Sequence, residues 1–167
     1  MPDRQHRSTV VSMPTVTIVR ESSLPPDRVL EAARDFTARR CEIFPAVQLK
    51  YFEVHSTSED SADVTEGTRS GPMYNWERCD YDWSKPNTIL AEVTDSNVYD
   101  PKGSWWRLTA TPAAGGSRVE MIWERNFRRT PKGRLLNLVF KRAGNKLFGG
   151  YAREILSNLE KLDARSG

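Results

Sequence analysis

The sequence is short of the residues that most metal and nucleophile chemistry needs. Histidine occurs twice, as His6 and His55, and cysteine twice, as Cys41 and Cys79. Neither cysteine sits in a metal-ligand spacing, and no histidine lies near either in sequence. Metal centres and Ser-His or Cys-His triads are therefore poorly supplied, and no metal or cofactor is expected. A disulfide is formally available. With no export signal, two reduced thiols in a cytoplasmic protein are the better reading. The first residues carry Arg4 and Arg7, but no apolar stretch follows them. No apolar run approaches the roughly 20 residues that cross a bilayer. No glycine-rich phosphate loop joins a strand to a helix, which argues against a nucleotide site. Internal repeats are absent.

What is present is ordinary in bulk and uneven in detail. The 167 residues are 38% hydrophobic and 28% charged, with a net charge of +3. That suits one soluble domain with one core. Residues 1–13 are polar and aperiodic and read as a disordered lead, with Met13 an alternative start. Residues 14–163 form the domain, and 164–167 are a tail.

The hydrophobic period changes along the chain. Val16 and Ile18 mark a first strand. Pro25-Pro26-Asp27 then opens a helix with Val29, Leu30, Ala33 and Phe36 at helical spacing. A second short helical piece covers 38–44, before Pro45. Six strands follow, over 48–56, 62–68, 73–83, 88–98, 104–111 and 117–128. The loops between them are short, so sequential antiparallel neighbours are expected. From Thr130 to about Asp163 the chain is helical, with a bend expected near Gly149-Gly150. Leu147, Tyr151, Ile155, Leu159 and Leu162 form an apolar stripe, widened by Phe148, Ala152 and Leu156, that needs a sheet face to cover it.

Three stretches in this order carry a resemblance. They are Arg40-Cys41-Glu42-Ile43-Phe44-Pro45, Trp76-Glu77-Arg78-Cys79-Asp80-Tyr81-Asp82-Trp83-Ser84-Lys85-Pro86, and Thr111-Pro112-Ala113-Ala114-Gly115-Gly116-Ser117-Arg118-Val119. With the element order, they make the chain resemble the START-like (SRPBCC) superfamily, in particular its polyketide cyclase/dehydrase-like branch. The resemblance implies an α+β helix-grip fold: a seven-stranded antiparallel sheet curved around a long C-terminal helix. It also implies a cavity between sheet and helix that takes a lipid, polyketide or quinone-like molecule. A minority of members catalyse cyclisation or dehydration, so the fold speaks for a pocket more than for a reaction.

Alternation places Val119, Met121, Trp123, Arg125 and Phe127 on one face of the last strand, and Trp106, Leu108 and Ala110 on one face of its neighbour. Both sets are assigned inward, either as plain core or as cavity lining. With Phe44, Trp76, Arg78, Leu147, Tyr151 and Ile155, the residues Trp106, Leu108, Met121, Trp123, Arg125 and Phe127 complete the candidate ligand-binding set. Arg125 stands out because a buried arginine needs a partner; reaching solvent at the sheet rim is its alternative. Which face of 73–83 is concave is left open. Tyr51, His55 and Glu42 are the candidates for acid or base chemistry, and surface positions are the alternative for His55 and Glu42. Finally, charge is segregated. Residues 125–153 hold nine Lys or Arg and no acid, whereas 52–100 hold eleven acids and three bases. The basic stretch interleaves with leucines, the composition of an interfacial helix that can touch an anionic membrane; a solvated face is the alternative. No nucleic-acid partner is expected. The readings to be tested are binding or carriage of a small hydrophobic molecule, a polyketide cyclase or dehydratase, and a membrane-docking lipid or quinone chaperone.

Overall fold

A computed structural model describes residues 13–166. Apart from Met13, the expected lead, with its histidine and the question of the start, lies outside the described residues, as does Gly167. The first strand, β1 (Thr15–Ser22), buries Val16 and Ile18 by strict alternation. The helix that follows, α1 (Pro26–Ala33), has its proline at the first turn, where a missing N–H costs nothing, and Asp27 at the positive dipole end. It stops at Ala33, short of Phe36, whose ring packs beside Tyr81 and Trp83 at 4.8 and 6.0 Å. A single turn, α2 (Arg40–Ile43), completes the connection.

The expected strand over 48–56 opens instead with a 3-10 turn, Leu49–Tyr51, and β2 spans only Glu53–Thr57. All five β2 residues are exposed. This is an edge strand, so its period-two pattern reports no buried face. The remaining strands are β3 (Ser61–Ser70), β4 (Met73–Asp82), β5 (Thr88–Ser96), β6 (Trp105–Ala113) and β7 (Gly116–Glu124). They form one antiparallel sheet in the order β1-β7-β6-β5-β4-β3-β2. Sequential strands are neighbours, as short loops require. The one departure is β1, which pairs with β7 while α1 and α2 carry the chain from that edge to the other.

One β-bulge decides which side chains reach the interior. Between β4 and β5 the register shifts at Arg78/Cys79. Ile89, Ala91 and Val93 are buried before it, Ser96 and Val98 after it. The extra residue, Thr94 on β5, flips the buried parity of the chain from odd to even positions.

The last helix, α3 (Pro131–Ser166), runs 36 residues without a break, through Gly149-Gly150 where a bend was expected and past Asp163. The buried glycine earlier in this helix serves packing: a Cβ on Gly144 would lie 2.8 Å from Val16 Cγ2, so only glycine lets α3 approach β1 this closely. Ala152, Ile155, Leu156 and Leu159 bury the helix against the curved sheet. The fold is thus α+β, a seven-stranded antiparallel sheet gripping a C-terminal helix.

Candidate functional site

The grip leaves a cavity of about 290 Å³ between the concave face of the sheet and α3. Eight of the residues singled out by sequence line it. They are Phe44 from the segment after α2, Trp106 of β6, Met121 and Trp123 of β7, Arg125 just beyond, and Leu147, Tyr151 and Ile155 of α3. Alternation on β6 and β7 and helical spacing on α3 aim them inward. Ala46 and Leu147 are wall residues that also face solvent, which places the mouth between the chain after α2 and α3. A smaller recess of about 220 Å³ adjoins the cavity and shares Ala46, Glu66, Glu77, Tyr99 and Tyr151 with it.

Two arginine–glutamate pairs stand in this mostly apolar wall. Arg40, fully buried, pairs with Glu66 of β3, donates to the Ala33 carbonyl at 2.8 Å and donates to the Tyr81 hydroxyl at 3.0 Å. Tyr81 in turn donates to Glu66 Oε2 at 2.8 Å. The rings of Phe44 and Phe36 lie 4.3 and 4.5 Å from the guanidinium. Every polar group in this cluster has a partner. Burial works against the Arg40 charge, but Glu66 more than restores it, and the guanidinium is held more firmly protonated than usual.

Arg125 is 4% exposed and donates to both oxygens of Glu77, at 3.0 and 3.4 Å, with the Tyr99 ring 4.5 Å away. Its Nε is buried and has no hydrogen-bond partner among the described residues. Asn75 Oδ1, in the wall of the adjoining recess, is likewise buried and unpartnered. Burial pushes the Glu77 carboxyl above the usual carboxylate range, only partly offset by Arg125. Burial also raises the phenols of Tyr81, Tyr99 and Tyr151, keeping them neutral and able to donate hydrogen bonds.

Four candidate ligand residues are not on the cavity wall. Buried inward positions of β4 fall on Cys79 and Tyr81, so Trp76 and Arg78 take the opposite parity. Trp76 packs over Gly67, where a Cβ would sit 3.2 Å from Trp76 Cβ and 3.0 Å from Tyr51 Cβ, and it reaches only the smaller recess. Arg78 pairs with Asp63 on the outer face at 2.5 and 2.8 Å. Leu108 is sealed within the core. Phe127 packs instead against Tyr99 and Phe140, at 5.3 and 5.5 Å.

The three acid–base candidates lie elsewhere too. Tyr51 packs at a tilt against Tyr74, ring centroids 4.8 Å apart, His55 Nε2 meets Thr65 Oγ1 at 2.7 Å on the exposed edge, and Glu42 faces solvent. Both cysteines are free, and burial raises their thiol pKa values, which disfavours the nucleophilic thiolate. Among the described residues no cluster of His, Cys, Asp and Glu could hold a metal ion.

The polar wall residues Arg40, Glu66, Glu77 and Tyr99 were not singled out by sequence. A signal existed for the glutamates. Ala62-Val64-Glu66 and Glu77-Cys79-Tyr81 each put an acid at the parity of buried neighbours. The partners lie 26 and 48 positions away, beyond the reach of local patterning.

A curved antiparallel sheet closed over a cavity by a C-terminal helix defines the class, a START-like helix-grip protein. The family model for polyketide cyclase/dehydrase and lipid transport matches residues 13–162, and the chain belongs to that family. Solved structures share the fold. A protein from Thermus thermophilus superposes with TM-score 0.72 at 14% identity, over 89% of this chain and 99% of its own. The Zhui aromatase/cyclase from Streptomyces sp. R1128 gives TM-score 0.71 at 14% identity, over 90% and 95%. A START superfamily protein from Mycobacterium smegmatis gives 0.66 at 12%, over 89% and 98%. At these identities the likeness is one of fold alone. No curated protein matches the sequence.

Proposed function

We propose that the protein binds a small, largely apolar molecule bearing oxygen acceptors, such as a polyketide, quinone or oxygenated lipid, in the cavity under α3. The observation that carries this reading is Arg125. A guanidinium almost wholly removed from water, with its Nε–H unpartnered among the described residues, belongs to the wall of a cavity that Phe44, Trp106, Met121, Trp123 and Ile155 make mostly apolar. An unpaired buried donor costs roughly 1–3 kcal/mol, and a ligand oxygen would recover that loss. Apolar burial, at about 25 cal/mol per Å², supplies most of the affinity, and the polar groups fix orientation. The test is native mass spectrometry of purified protein, with organic extraction and identification of what is released. A co-purified oxygenated hydrophobe supports the reading. Empty protein, with no gain in melting temperature across a panel of such compounds, counts decisively against it.

A second reading, an enzyme that cyclises or dehydrates a bound polyketide, draws support from Glu77. Its carboxyl lies on the same wall, beside Arg125, and burial raises its pKa, the direction that favours a proton donor. Glu77→Gln should then retain ligand binding and lose product formation from a poly-β-ketone substrate. Equal turnover by both proteins would remove Glu77 from any such chemistry.

A further inference from the structure

The N-terminal half of α3 carries more apolar surface than the fold uses. Its inner side buries Phe140 and Gly144 and packs Phe148 against Trp123 at 4.7 Å. On the outer side, Leu135, Leu138, Val139, Arg142 and Lys146 follow one another at helical spacing, one stripe facing away from the sheet. Leu135, Leu138 and Val139 are 59, 45 and 39% exposed, and Leu147, at the edge of this stripe, 54%. No core lies above them, so their contribution to stability is small and their exposure needs another reason.

The cations of this segment are unpaired as well. Arg134, Lys141, Arg142 and Lys146 are exposed and make no ion pair among the described residues. No acidic residue occurs between Arg125 and Arg153. Arginines elsewhere are mixed: Arg28 meets Asp163, Arg78 meets Asp63, Arg107 meets Glu120 and Arg128 meets Asp95, whereas Arg34, Arg69 and Arg118 are exposed without an ion pair among the described residues. What distinguishes this segment is its run of cations with no acid between them. The outer side of α3 thus combines a convex apolar ridge with uncompensated positive charge.

We infer that this side of α3 docks on an anionic lipid surface. The leucines and valine enter the boundary between headgroups and acyl chains, and Arg134, Lys141, Arg142 and Lys146 meet lipid phosphates. Charge complementarity sets the sign of the partner. The ridge shape favours a deformable bilayer over a folded acidic protein, which would need a matching groove. Polynucleotide phosphates would use the cations but leave the leucines in water. Docking also orients the cavity, because Leu147 belongs both to the exposed edge and to the cavity wall. The mouth then opens beside the bilayer, which suits loading of an apolar molecule from the membrane. That last step rests on the cavity being a ligand site; docking itself does not.

Full-length protein, co-sedimented with phosphatidylcholine vesicles with and without phosphatidylglycerol, tests the inference. Binding is expected only with phosphatidylglycerol, and it should fall as salt is raised. Leu135→Ser with Leu138→Ser should weaken it by about tenfold or more, and Lys141→Glu with Arg142→Glu by at least as much. All four positions are exposed, so melting temperature and the ligand-induced shift in the cavity should stay as in the wild type, which separates failure of docking from failure of the ligand site. Absence of vesicle binding at low salt overturns the inference. So does binding that survives loss of the two leucines, which would reveal diffuse attraction alone, and so does preference for an acidic protein over vesicles.

Discussion

Two buried arginine–glutamate pairs share one cavity wall, and they are built for different ends. Arg40–Glu66 is saturated: a carbonyl, a tyrosine hydroxyl and two aromatic faces complete its coordination. Arg125–Glu77 is not. One guanidinium N–H is left over, and the carboxyl is held above its ordinary pKa. Low dielectric makes an unsatisfied group costly and a satisfied one rigid. The saturated pair therefore behaves as scaffold, pinning α1, α2, β3 and β4 together. The unsaturated pair is the one that the proposed ligand would complete. Charge and burial are alike in the two pairs, and what separates them is the number of hydrogen bonds still open.

The largest effect expected from this contrast is on stability. Arg40→Ala should cost about 3–5 kcal/mol by denaturant titration, because Glu66 is left charged and buried. A loss below about 1 kcal/mol would break the distinction. The paired replacements sharpen it. Arg125→Met with Glu77→Leu should stay within about 2 kcal/mol of wild type and abolish the ligand-induced melting shift. Arg40→Met with Glu66→Leu strands the Tyr81 hydroxyl and the Ala33 carbonyl and should cost roughly 1–3 kcal/mol more.

A smaller effect lies in the pH dependence. The folded pKa of Glu77 is raised, chiefly by burial, so its contribution is fully present below the unfolded carboxylate pKa and is lost as pH rises through the folded value. Asp63, Asp82 and Glu160 are lowered, by Arg78, by Ser84 and by the Ser23 backbone N–H respectively, and act in the opposite sense. Unfolding free energies of wild type minus Glu77→Gln should isolate the first contribution and decline from acid toward neutral pH. A flat difference would show that Glu77 does not titrate differently on folding. The smallest effect belongs to the outer face. Arg78→Ala should leave the denaturation midpoint close to that of wild type, since its pair with Asp63 is solvent-screened, and should leave the ligand-induced shift intact. Loss of ligand binding in that variant would overturn the strand parity on which the cavity assignment depends.

That parity is where local patterning reached its limit. On β6 and β7 the inward faces were legible, because Trp106, Leu108 and Ala110 alternate with Arg107 and Thr109, and Val119 and Met121 with Arg118 and Glu120. On β4 they were not. Trp76 and Arg78 drew attention for their size and charge, yet Asn75, Glu77, Cys79 and Tyr81 share the inward parity. A tryptophan that covers Gly67 from outside looks, in sequence, like one that lines a core. The bulge opposite Arg78 and Cys79 adds its extra residue, Thr94, to β5, so there it is the parity of β5 that local patterning cannot follow. His55 and Tyr51 were legible as chemistry-bearing residues, but nothing local says that β2 is an exposed edge.

The order of elements, the antiparallel neighbours, the apolar stripe of α3 and the uncompensated basic stretch within it were determined by sequence alone, since each follows from period, turn chemistry or composition over a few consecutive residues. Which glutamate meets which arginine, which donor is left open, and where the mouth lies were decided only by the tertiary structure. Those features depend on pairs 26 and 48 positions apart in the chain, which only the folded sheet brings within hydrogen-bonding reach.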